Sequence, residues 1–387
     1  MSSISAMSKK KAKPPSWSAM GSGISGNVTA IYALNESNVY VGGSFTSVGG
    51  NTSIKYIAKW NGNNWTALGG GMSNEVAAIY AVDANNVYVG GNFDTATNII
   101  EGVAVNVTVN KIAKWDGANW TALGAGVNAN VTAIYAVDAN NVYVGGGTFF
   151  NTATNIIEGV AVNVTVNCIA KWDGANWSKM GGGVNGAVNA IYAVDTNNIY
   201  VGGNFSTASN VTGGGGATVN VTVNKIAKWD GSNWTALGGG VSSIVYAIHG
   251  YANNIYVGGN FNTAYNVTGG TTVNVTVNKI AKWDVTNWSA LGNGVSDIVQ
   301  EVYAVNENNI YAGGNFDTAY NVTGGTTVNV TVKRIAKWDG NNWTAMGTGM
   351  NSPSSVLAIY VYANNVYAGG SFTTAGGVTV NRIAVWK

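Results

Sequence analysis

The chain has 387 residues, a net charge of +2, only 9% charged residues and a single cysteine, Cys168. So few charges exclude a charge-rich disordered chain, and the near-neutral balance by itself implies no acidic partner. One cysteine rules out an internal disulfide, and a stock of Val, Thr, Tyr, Trp, Gly and Asn with few strong helix formers rules out a helical fold.

Residues 1–15, MSSISAMSKKKAKPP, have no apolar core of the kind a secretion signal carries. They predict a disordered basic arm, with synthesis in the cytoplasm. Lys9, Lys10, Lys11 and Lys13 could make a weak polyanion contact, although a solvated arm accounts for them as well. No apolar run reaches the ~18 residues of a membrane helix, so no membrane insertion is expected.

After "WSAMG" at Trp17, the first full repeat reads as four strands. They are "VTAIYAL" from Val28, "VYVGG" from Val39, "IAKW" from Ile57 and "WTAL" from Trp65. Asn-rich turns separate the first pair and "NGNN" separates the last. The third phrase or its variant ends at Trp60, Trp115, Trp172, Trp229, Trp283, Trp338 and Trp386. The fourth begins at Trp17, Trp65, Trp120, Trp177, Trp234, Trp288 and Trp343. Together these are all 14 tryptophans, and the repeats lie roughly 48 to 57 residues apart, a spacing of four-stranded units. Two tryptophans across a hairpin share one sheet face and read as core.

Trp17 has no "IAKW" before it and Trp386 has no "WTAL" after it. A closed ring resolves both. The expected fold is all-β, a single seven-bladed β-propeller over residues 16–387. Its N-terminal strand completes the C-terminal blade, pairing Trp17 with Trp386.

Between "NF" and "IAKW" the repeats are short in blades one and seven and expand in blades two to six, as in "DTATNIIEGVAVNVTVNK". The inserts alternate Val with Asn or Thr and predict hairpins standing up from one face as an incomplete crown. Neighbouring hairpins would pack through Val and present Asn106, Thr108, Asn163, Asn220, Asn274 and Asn329 to a protein partner or a glycan. A plain extension of the sheets is the other reading.

The inner strand changes in two adjacent repeats, to "YAIHGY" from Tyr246 and "QEVYAV" from Gln300. Glu301 stands where the other repeats have alanine, and His249 where they have tyrosine. These two, with Gln300 and Tyr246, are the candidate channel site. A lone histidine also serves as a hydrogen-bonded structural group. Lys59, Lys114, Lys171, Lys228, Lys282 and Lys337 alternate with the tryptophans and belong on the opposite face.

"IYVGG", "KIAKWD" and "NWTALG" together resemble the kelch repeat, with a double glycine closing the second strand and a tryptophan opening the outer one. They are also similar to repeats of large bacterial surface proteins and of large DNA viruses of amoebae. The resemblance implies a propeller. There is no phosphate-binding glycine loop and no metal-spaced His or Cys cluster, so no catalytic residue and no cofactor is assigned. The expected function is a non-enzymatic structural or interaction module, in a virus particle or on a surface scaffold. A multivalent lectin is the alternative, and a hydrolase or lyase with a channel site has less behind it.

Overall fold

A computed structural model describes residues 14–212 and 216–387. The basic arm expected over 1–15 falls outside these, apart from Pro14 and Pro15, and so do Lys9, Lys10, Lys11 and Lys13.

Short turns set each blade. In the first, Asn35 accepts the Ser37 N–H through its side-chain oxygen at 3.0 Å, which turns the chain between Val28–Asn35 and Asn38–Gly43. In the outer turn of blade two, one Asp116 oxygen accepts the N–H groups of Ala118 (2.9 Å) and Asn119 (2.7 Å). Gly117 there holds φ 98°, a value glycine adopts without steric cost. The result, among the described residues, is seven four-stranded antiparallel sheets. Blade one orders Val28–Asn35, Asn38–Gly43, Ile57–Trp60 and Trp65–Thr66 from inside out. Inner strands of successive blades touch, and the last, Val356–Tyr362, touches the first, so the ring is closed.

The seam lies in blade seven. Its outer strand is Trp17–Ala19, antiparallel to Ile383–Trp386, with Trp17 opposite Trp386. The two indoles stand 5.3 Å apart, centroid to centroid. The Ser16 N–H donates to the Lys387 carbonyl at 2.8 Å.

There is no single core. Seven apolar clusters fill the spaces between facing blades. A buried indole removes about 150–250 Å² from water, roughly 4 kcal/mol or more before entropy is counted. The repeat phrases are rules for this interface. Each outer-strand indole donates to a carbonyl at the end of the preceding blade, as Trp120 does to Leu68 at 3.0 Å and Trp17 to Met346 at 2.9 Å. The glycine after that Leu or Met, for example Gly69 at φ 56°, turns the chain beneath the indole. The first glycine of each "GG" has no room for a methyl. A Cβ on Gly42 would overlap Val76 of the next blade. The second faces a bulge in its own inner strand, where a Cβ on Gly43 would overlap the Asn27 carbonyl.

Hairpins form in blades two to six as the inserts predict, the first pairing Thr95–Ile100 with Val103–Thr108. Their placement corrects the expected crown. Each lies against the outermost strand of its own blade; Val107, Val164, Val221, Val275 and Val330 are half-buried against the apolar clusters, while Val105 and its counterparts stay exposed. The physical reason is the free edge of that strand. The Trp120 N–H and C=O point away from the neighbouring strand, and the Asn98 side chain takes both, at 2.6 and 3.1 Å. The same double contact joins Asn155 to Trp177, Asn210 to Trp234, Asn266 to Trp288 and Asn321 to Trp343. Blades one and seven have glycine, Gly50 and Gly377, at the corresponding place.

Candidate functional site: the channel wall and the rim

The inner strands border the central channel in tiers. At the bulge, Thr29 donates to the Val76 carbonyl of the next blade at 2.7 Å, and the Asn189 amide to the Val245 carbonyl at 2.9 Å. Below the bulge comes a tier of alanines, then isoleucines, then aromatics. Tyr32, Tyr80, Tyr135, Tyr192, His249, Tyr303 and Tyr360 form an unbroken belt, with centroids of neighbours 4.2 to 5.4 Å apart. Neighbouring ring planes are tilted by 36 to 68° to one another. Burial, and then the neighbouring Tyr135 and Tyr32 hydroxyls, push the Tyr80 phenol far above its usual range. Burial pushes Tyr303 to about 12. The phenols of Tyr80, Tyr135, Tyr192, Tyr303 and Tyr360 are all pushed the same way by burial and are neutral near pH 7.

Two cavities occupy this region. One of about 160 Å³ is bordered by the bulge and alanine tiers, including Tyr246. The other, about 350 Å³, is bordered by isoleucines and the belt, including His249. Glu301 lines both. Gln300 is the bulged residue beside it and borders neither cavity.

The two exceptional residues alter the belt locally. His249 Nδ1 accepts the Ala304 N–H of the next blade at 3.2 Å, which leaves the proton on Nε2. Burial lowers its pKa to about 4. Next to it, Gly250 stands where five other blades have alanine. A Cβ there would overlap the Tyr192 ring, and the Tyr192 hydroxyl donates to the Gly250 carbonyl at 3.1 Å. Glu301 Oε1 accepts the Val302 N–H at 3.1 Å. Burial raises its pKa to about 8, although its side chain keeps some contact with channel water. Among the described residues no lysine or arginine lines either cavity, and no group of three or more His, Cys, Asp or Glu could hold a metal.

The second site is the rim. Asn106, Thr108, Asn163, Asn220, Asn274 and Asn329 all lie on the exposed second strands of the hairpins. Asn106, Asn163 and Asn220 accept hydroxyl hydrogen bonds across the hairpin from Thr97, Thr154 and Ser209. Valines recur beside them at one position, Val105, Val162, Val219, Val273 and Val328, each 40 to 52% exposed. Lys59, Lys114, Lys171, Lys228 and Lys337 sit over cross-strand tyrosines, Lys59 at 5.7 Å from the Tyr40 centroid.

Sequence reasoning missed the clamp asparagines. The signal was there, an asparagine five residues after the "NF" or "FF" phenylalanine in the expanded repeats alone. It also took the belt tyrosines only as the background against which His249 stood out.

No protein-family model matches the sequence, nor does any curated protein. Solved structures do. The computationally designed propeller Ika8 aligns with 17% identity and a TM-score of 0.53, over 95% of this chain and 99% of that one. The WD40 β-propeller domain of Doa1 aligns with 12% identity and a TM-score of 0.50, over 96% and 97%. The extracellular domain of BT4673 from B. thetaiotaomicron gives 11% identity and a TM-score of 0.54, over 96% of this chain and 40% of that one. At such identities the likeness is one of fold, and it agrees with the sheets and the closed ring: the chain is a β-propeller.

Proposed function

We propose that this chain is a non-enzymatic, kelch-like propeller that serves as a structural or interaction module, docking through its rim in a repetitive assembly such as a virus particle or a surface scaffold. The observation that supports this reading is the fivefold repetition of one exposed surface. Hairpins of nearly one sequence are each pinned by the same asparagine clamp and present the same half-exposed valine among amides and hydroxyls. Apolar side chains held outward on rigid strands suit a protein partner that meets several hairpins at once. Each contact can be weak, since five acting together raise the effective concentration.

The test is a variant carrying Thr at Val105, Val162, Val219, Val273 and Val328, which keeps the β-branched shape and adds a hydroxyl. The expected result is an unchanged melting temperature with loss of incorporation into the native particle or surface layer, read by imaging tagged protein. Incorporation at the wild-type level, or strong binding on a glycan array that the variant retains, would reject the protein-docking reading in favour of none or of a lectin.

A further inference from the structure

We propose that the channel cavity beside the aromatic belt binds a small organic cation carrying a primary ammonium group, with Glu301 as its counter-ion. The inference goes beyond the docking function of the rim and does not depend on it.

Three features of the wall lead to this chemistry. First, Glu301 is, among the described residues, the one carboxyl on either cavity, in a tier that is alanine in the other six blades. One of its oxygens takes the Val302 N–H, and the other has no protein partner among the described residues. A carboxylate removed from bulk water without a counter-charge is costly, so the site favours a ligand that supplies one. Second, the belt below offers phenol oxygens, which accept hydrogen bonds from an ammonium group and carry no charge to repel it. The rings are continuous, but the run of free phenol hydroxyls is broken at His249, whose imidazole is turned to the Ala304 backbone, and at Tyr192, whose hydroxyl is turned to Gly250. His249 lies in the blade next to Glu301. Third, Ile31, Ile79, Ile191, Ile248 and Ile359 surround the space between, and Val302 replaces the isoleucine beside Glu301. An alkyl chain is matched to such a wall, whereas a bare metal ion leaves it in contact with water. The cavity, about 350 Å³, is large enough for a short alkylamine.

Binding should be linked to protons. The groups facing Glu301 are Tyr303 on its own strand, His249 and Tyr246 on the preceding inner strand, and the remaining belt tyrosines across the channel. The phenols of Tyr80, Tyr135, Tyr192, Tyr303 and Tyr360 stay neutral near pH 7 and His249 is uncharged there, so among these groups Glu301 alone changes charge. A cation draws it into the ionised form and releases its proton.

The experiment is calorimetric titration of the full chain with n-butylammonium chloride and, separately, with n-butanol, at constant ionic strength in sodium chloride. It is repeated with potassium chloride as competitor and in two pH 7 buffers of different ionisation enthalpy. The wild type should bind butylammonium one to one with proton release, and butanol and potassium should not compete. Glu301→Ala restores the residue of the other six blades, so it retains the fold, and it should weaken butylammonium by about tenfold or more. Glu301→Gln should do the same with less change of shape. Absence of butylammonium binding to the wild type, equal affinity for butanol, displacement by potassium, or full affinity in Glu301→Ala would each overturn the proposal.

Discussion

The side-chain amide of Asn98 holds both backbone groups of Trp120, accepting its N–H at 2.6 Å and donating to its C=O at 3.1 Å. One side chain thus does the work of a further strand. It closes the free edge of blade two and fixes the hairpin that carries it. Asn98 is 6% exposed, so its loss leaves both backbone groups without a partner in a site that water reaches poorly. Asn98→Ala should cost about 1–3 kcal/mol. Asn98→Asp, which keeps the acceptor and loses the donor, should retain more of the protection. Hydrogen exchange at the Trp120 amide checks this directly: it should speed up in Asn98→Ala, while the Trp65 amide in blade one, which has no such clamp, should be unchanged.

That clamp also marks where the sequence became hard to read. The propeller was legible because its signals are periodic. Tryptophans recur in pairs and double glycines end one strand, and each is dictated by contact with a neighbouring blade, as at Gly42 against Val76 of the next or Trp120 against Leu68 of the preceding one. Ring closure followed from two unpaired motifs, and Trp17 does face Trp386. The hairpins were legible as hairpins but not in direction. Alternating Val and Asn specifies a strand without saying which surface it lies on. What decides the direction is Asn98 reaching a backbone 22 residues away; the asparagine recurs at one place in each expanded repeat, but its identity alone does not say which backbone it meets. At the channel, Glu301 and His249 stood out as breaks in repetition, and both line the cavity. Gln300 broke the repetition equally and borders neither cavity, although the bulged residues at the same place in other blades, such as Thr29 and Tyr246, do border the smaller one.

The two channel residues give opposite pH dependences. Glu301 has its pKa raised to about 8, so the folded state holds a proton that the unfolded chain has released. Its contribution is present below about pH 4.5 and is lost as pH rises toward 8. His249 has its pKa lowered to about 4, so its contribution is present above about 6.5 and is lost as pH falls toward 4. Between about 4.5 and 6.5 the slopes oppose each other, and from 6.5 to 8 that of Glu301 acts alone. Glu301→Ala should therefore gain stability over the wild type, with the gain growing from pH 6.5 to 8. His249→Tyr should gain most near pH 4. Thermal unfolding of the three proteins across pH 4 to 9 measures both differences. Turn carboxylates such as Asp116, held low by the Asn119 and Ala118 N–H groups, are common to all three and cancel.

Ring closure gives a third prediction. Trp17 is 4% exposed, packs on Trp386 and reaches Met346 of blade six, whereas Trp65 in the matching place of blade one is half-buried. Trp17→Ala should cost about 3–5 kcal/mol and Trp65→Ala distinctly less. Beyond its size, the Trp17 effect should be global. Exchange should accelerate in blades one, six and seven together, because freeing the seam leaves two blade faces able to part.

The double glycine can be tested by rescue. A methyl at Gly90 would lie 2.8 Å from Val131 Cβ and 2.9 Å from Ile134 Cδ1, both on the inner strand of the next blade. Gly90→Ala should therefore destabilise by about 1–3 kcal/mol through overpacking, even though alanine suits a strand better than glycine does. Val131 is fully buried, and Val131→Ala leaves a void, with a cost of about 1–2 kcal/mol. If the glycine exists to admit that valine, the double variant places the new methyl in the space just vacated. Its cost should be smaller than the two single costs combined by about 1 kcal/mol or more. Additive costs in urea unfolding would mean that Gly90 serves the backbone of its own strand, at the bulge between Val76 and Ala78, and not the neighbouring blade.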